Sequence, residues 1–78
     1  MYEIENNEIL KSLYQYVKNT NQIIFNSEGK IIEGSELKSL LLIKTLHSLN
    51  SIINALQLNN VPTCKYTEAK DILFNLTK

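Results

Sequence analysis

The chain has no arginine and no tryptophan, and only one cysteine, one histidine, one proline and two glycines among its 78 residues. Each shortage excludes something. A single cysteine, Cys64, rules out an intramolecular disulfide. One histidine and one cysteine cannot supply a four-ligand structural zinc site without carboxylates or other chains. All the basic residues are lysine, and they balance the acidic ones to a formal net charge of zero. Arginine is the residue that grips phosphate, carboxylate and guanine with two parallel bonds, so a neutral chain without it is a poor candidate for sequence-specific nucleic-acid binding. It also lacks a polybasic membrane patch. No run approaches the roughly 18–20 apolar residues of a membrane span. The first twenty residues carry Glu3, Glu5 and Glu8 where a signal peptide would have an apolar core. These absences lead to the expectation of a cytoplasmic protein, without membrane contact, cofactor or metal.

The length fits one domain, 1–78. A chain of this size buries only roughly 60–65% of its unfolded surface, so it is marginal alone. Small domains usually need a staple, and with disulfide and zinc set aside the remaining one is oligomerisation. The hydrophobic content of 44% is that of a folded chain.

The longest apolar-periodic run free of Pro and Gly is Ser35 to Leu58, which the 3.6-residue repeat predicts as one long helix at about 35–58. Leu42, Leu46, Leu49, Ile53 and Leu56 are spaced 4, 3, 4, 3, the spacing of a coiled-coil seam. Leu41 and Ile52 widen that arc, while Lys44, His47, Asn50, Ser51, Asn54 and Gln57 lie opposite. Leu37, Leu40 and Ile43 point away from the seam, so the N-terminal half is apolar nearly all round and needs cover on several sides. The seam reads either as an ordinary core stripe of one chain or as a helix pairing across a dimer.

Ahead of this helix, Asn6 or Asn7 can cap a first helix at about 5–19, after a frayed start at Met1 to Glu5. Ile9, Leu10, Leu13, Tyr14, Tyr16 and Val17 form its apolar arc. Asn19, Thr20 and Asn21 end it, Asn being tolerated in a left-handed helix stop. Residues 22–33, QIIFNSEGKIIE, read as a β-hairpin. Asn26-Ser27-Glu28-Gly29 has the pattern of a type I turn closed by a glycine bulge, with φ > 0 at Gly29. In that register Phe25 faces Ile31 and Ile24 faces Ile32. Ile23, Phe25 and Ile31 then share one face, and Ile24 and Ile32 the other. The segment FNSEGKIIE resembles hairpins of small sensory α/β domains such as PAS and roadblock modules. The further strands of those folds are missing, so the resemblance implies nothing beyond the hairpin.

Gly34 breaks the strand and Ser35 caps the long helix, which Asn59 and Asn60 stop. Val61-Pro62 is a loop. Thr67 caps a last helix carrying the stripe Ala69, Ile72, Leu73 and Leu76. The fold class expected is therefore α+β, mostly helical, in the order α-β-β-α-α.

Chemistry-bearing residues are few. His47 sits in the polar arc of the long helix, with no acidic residue three or four positions away to orient it as a base, and reads as a solvated surface residue. Cys64 lies three residues before the expected cap of the last helix and reads as a partly buried, inert thiol. Glu68 and Asp71 are a carboxylate pair on one helix, explained by the helix dipole and by solubility. Tyr2, Tyr14, Tyr16 and Tyr66 could form an aromatic patch but read as core-edge residues. A helix-turn-helix would need a turn of about three or four residues, against the longer Asn59–Tyr66 connection. No catalytic residue is assigned. The expectation is a small non-enzymatic protein-interaction module, of the kind found among inhibitors, adaptors and regulators, including those of phages and mobile elements. It is expected to act as a homodimer with a protein partner, through Ile24, Ile32, Leu42, Leu46, Leu49, Ile53 and Leu56. The alternatives are a DNA-binding transcriptional regulator and a small-ligand or metal sensor.

Overall fold

A computed structural model describes Ile4, residues 6–21 and residues 23–77. Among the described residues it has three helices with defined bounds, α1 (Glu8–Thr20), α2 (Gly34–Leu58) and α3 (Cys64–Leu76). It is 72% helical, with no strand or sheet among the described residues. The α+β class and the α-β-β-α-α order are thereby corrected to three helices joined by two connections.

Helix α1 starts where its cap is. The Asn7 side-chain oxygen accepts from the Leu10 N–H at 3.1 Å, and Glu8 and Lys18 sit at the dipole ends they favour. At the other end the Asn21 amide donates to the Val17 carbonyl at 2.9 Å, and the Thr20 hydroxyl reaches the carbonyls of Tyr16 and Val17. Side chains thus close α1, and Asn21 keeps a negative φ of −124° instead of the left-handed stop expected.

Helix α2 takes in Gly34, one residue earlier than expected, with φ +66° at that glycine and Glu33 at the cap position without a side-chain hydrogen bond. Its end is a Schellman motif. Asn60 adopts φ 58°, its N–H donates to Gln57 at 3.1 Å, and the Val61 N–H donates to Leu56 at 2.9 Å. At 25 residues α2 is roughly 37 Å long at 1.5 Å per residue, which sets most of the molecule's 43 Å long axis.

Helix α3 begins at Cys64, ahead of the expected Thr67 cap, because Thr67 already donates its N–H to the Thr63 carbonyl at 2.8 Å. Pro62 lies outside the helix, where its missing N–H leaves no bond unmade.

The three helices pack against one another, α1 on α2, α2 on α3 and α1 on α3. Ile4, Leu10, Leu42, Leu49, Ile53, Ala69 and Leu73 form the buried cluster, with Leu13, Tyr14, Leu46 and Leu76 among the side chains around it. Ile4 is in this core, not in a frayed start; the other residues of that expected start lie outside the described residues. Thr45 is buried on α2 and satisfied within it, its hydroxyl donating to the Leu41 carbonyl at 2.7 Å.

The expected hairpin is reduced to one bridge, Phe25 to Ile31; Gln22, its expected first residue, lies outside the described residues. The turn itself has the expected register. Asn26 donates to Lys30 at 2.9 Å, Ile32 to Ile24 at 2.8 Å and Gly29 to Asn26 at 3.0 Å, with Gly29 at φ +80°. The Asn26 side chain accepts from the N–H groups of Glu28 and Lys30. Pairing stops there because Gly34 turns the chain into α2 on one side, and α1 has only just ended on the other. A two-stranded ribbon of this length has too little cover to lengthen.

Candidate functional site

The connection between α1 and α2 carries the most unusual surface. Ile23 is 69% exposed, Phe25 58% and Ile31 59%. Phe25 and Ile31 share one face because the bridge sets them against each other; Ile23 lies two positions before Phe25, at a bend outside the bridged pair. Ile24 and Ile32, on the other face, are half-buried. Of the expected facing pairs, Phe25 with Ile31 and Ile24 with Ile32 are seen, but the side turned to solvent is the opposite of the one expected to form an interface. Position along the chain could not reveal this, since both faces are apolar.

The seam residues lie mostly inward. Leu42, Leu49 and Ile53 are in the buried cluster, Leu46 packs against it, and Leu56 is half-buried. The helices α1 and α3 of the same chain pack on this side of α2.

The polar candidates do not converge. His47, Glu68 and Asp71 are exposed. Cys64 is a free thiol and also exposed, at the first position of α3, which corrects the expected partly buried one. Among the described residues no group of three or more His, Cys, Asp or Glu side chains could hold a metal ion. The one ion pair described, Lys30 to Glu28 at 3.9 Å, is solvated on both sides and adds little. The connection between α2 and α3 is Asn59–Thr63, shorter than expected because α3 starts early. Among the described residues no helix is long and apolar enough to cross a membrane.

The tyrosines divide. Tyr14 is half-buried against the core, and desolvation raises its phenol above the usual value of 10.0. Tyr16 and Tyr66 line an open groove of about 470 Å³ with Ile9, Leu13 and Ile52, and with Glu8 and Ser12 as its polar members. Sequence reasoning missed this groove. Its only signal was an α1 apolar arc broader than two buried residues, Leu10 and Val17, require. Tyr2 lies outside the described residues.

Compared with known protein families, curated proteins and solved structures, the chain shows no match.

Proposed function

We propose that this chain is a small non-enzymatic interaction module, an inhibitor, adaptor or regulator by type, that binds another protein through the Ile23, Phe25 and Ile31 face. The observation that carries this reading is the exposure of three large apolar side chains, each more than half bare, on one hydrogen-bonded turn. Binding residues concentrate on connections held by a rigid scaffold, and long connections are usually functional. A contiguous apolar patch rimmed by polar residues is a common mark of an interaction site, and Glu28, Lys30 and Glu33 flank this one in sequence. The proposed setting is the cytoplasm, where an exposed thiol such as Cys64 stays reduced.

The test compares the wild-type chain with the double variant Ile23→Lys, Ile31→Lys as bait in the native host. Both positions are exposed, so the variant should keep its helical circular dichroism and melting temperature. A partner held by wild type and lost by this variant supports the face; a partner held equally by both removes it. A homodimer through the same face is the alternative occupant, and the mass of the bait in solution separates the two.

A second reading has one observation in its favour. The groove of Tyr16, Tyr66 and Ile52 falls within the roughly 300–1,000 Å³ of small-molecule sites, as a ligand sensor would require. An apolar dye that raises the melting temperature of wild type but not of Ile52→Arg would favour it.

A further inference from the structure

The hydrogen bonds of the ribbon fix which of its backbone groups point outward. Asn26 donates to Lys30 and Ile32 donates to Ile24, on either side of the Phe25–Ile31 bridge. Phe25 and Ile31 are therefore a non-hydrogen-bonded pair, and their own N–H and C=O groups point away from each other along the two outer edges. No hydrogen bond within the described chain takes up these groups. The two edges differ. Two positions along from Phe25 is Ile23, exposed and apolar; two positions along from Ile31 is Glu33, charged and at the mouth of α2.

From this geometry we infer that the Ile23–Phe25 edge receives an extended peptide segment of a partner protein as an added antiparallel strand. The inference rests on the protein-binding reading above and deepens it. Three arguments select the occupant. A residue opposite Phe25 can exchange both backbone bonds with it, and its side chain then lies on the exposed apolar face. A strand with apolar residues at alternate positions would thus lie along Ile23 and Phe25 with its backbone bonded and its apolar side covered. A lone bridged turn is marginal in water and gains cover from a further extended segment, and this one has only the Phe25–Ile31 bridge. The area excludes a large folded partner on this face alone. Three side chains about three-fifths bare present on the order of 350–400 Å², at roughly 200 Å² for a large side chain. A stable dimer needs about 800 Å² from each partner. A single strand gains its affinity from directional backbone bonds and needs less.

The experiment uses the full chain, uniformly labelled for amide hydrogen exchange by nuclear magnetic resonance. The probes are acetyl-(Val-Lys)4-amide and acetyl-(Val-Glu)4-amide, so that neither sign of charge decides the result. The controls are the same peptides with every valine N-methylated, which keeps the side chains and removes the donors. Both probes should slow exchange of the Phe25 amide at least tenfold at millimolar peptide, leave the Ile31 amide unchanged, and lose the effect on N-methylation. No slowing, equal slowing by the N-methylated controls, or slowing at Ile31 instead overturns the assignment. Slowing at Phe25 in the chain alone, rising with protein concentration together with a doubled mass, also overturns it and makes a second copy the added strand. Failure here remains distinct from failure of the wider reading. If Phe25 is unprotected but the Ile23→Lys, Ile31→Lys bait still loses its partner, the face binds by side-chain packing without strand addition.

Discussion

Two residues hold left-handed backbone positions and a third carries a partly buried phenol, and each can be tested alone. Gly29 sits at φ +80° with nothing within 4 Å of where a Cβ would be, so Gly29→Ala meets backbone strain and no clash. It should lower stability by about 1 kcal/mol in a denaturant titration, while the exposed Glu28→Ala should do little. Asn60 holds the left-handed position of the α2 stop without being glycine. Asn60→Gly should raise the denaturant midpoint slightly and Asn60→Val should lower it by about 1 kcal/mol, since a branched Cβ resists that backbone most. Tyr14 supplies a pH dependence. Burial raises its folded phenol above 10.0, so as pH climbs past that value the unfolded chain loses the proton first. Stability should therefore be fully present below about pH 10 and decline above it. The measurement is the difference between wild type and Tyr14→Phe, whose decline should be shallower. All three residues were visible in the sequence, but only for Gly29 did the turn pattern specify the conformation in advance.

At the scale of elements, the long helix was legible almost to the residue because the apolar run Ser35 to Leu58, with no Pro or Gly inside it, leaves little choice. The start of α3 was misplaced because Thr67 is a good cap in the abstract, and nothing local prevented Thr63 from taking the position. The hairpin was misread in extent, since β-branched residues around a turn describe local preference, while strand length depends on what the flanking helices permit. Its register was nevertheless correct, because Asn26 and Gly29 define a turn with few alternatives. The placing of α2 gives a sharp contrast. Leu49 is fully buried and Leu58 is 85% exposed, on the same helix. Leu49→Ala should cost about 2–5 kcal/mol, a large share of a small domain's stability, whereas Leu58→Ala should stay within about 0.5 kcal/mol. Comparable losses from both would mean that the outer side of α2 is covered in solution.

For the whole molecule, the expectation of a homodimer rested on a two-sided hairpin and a seam longer than its short neighbours needed. Helices α1 and α3 together take up most of that seam, with Ile4 and Ala69 filling the cluster around Leu49. The exposed Ile23, Phe25 and Ile31 side chains are by themselves too small for a standard interface. Light scattering at micromolar concentration should therefore give the mass of one chain, with a melting temperature independent of dilution. A doubled mass that falls on dilution would return the dimer to first place.

Local chemistry determined what can be read without neighbours: where helices run, that residues 26–29 turn, that Cys64 has no disulfide partner within the chain, and which residues share a ribbon face. Those that hold, with Phe25 opposite Ile31 as the shared face and Ile23 outside that pairing, follow from periodicity, from backbone freedom at one position, or from a count. Tertiary structure decided which apolar surfaces are used up. The sequence marks both ribbon faces and the seam as apolar in the same way. Burial depends on which helix arrives opposite, and in this fold α1 and α3 close over Leu42, Leu49 and Ile53 and leave Phe25 bare.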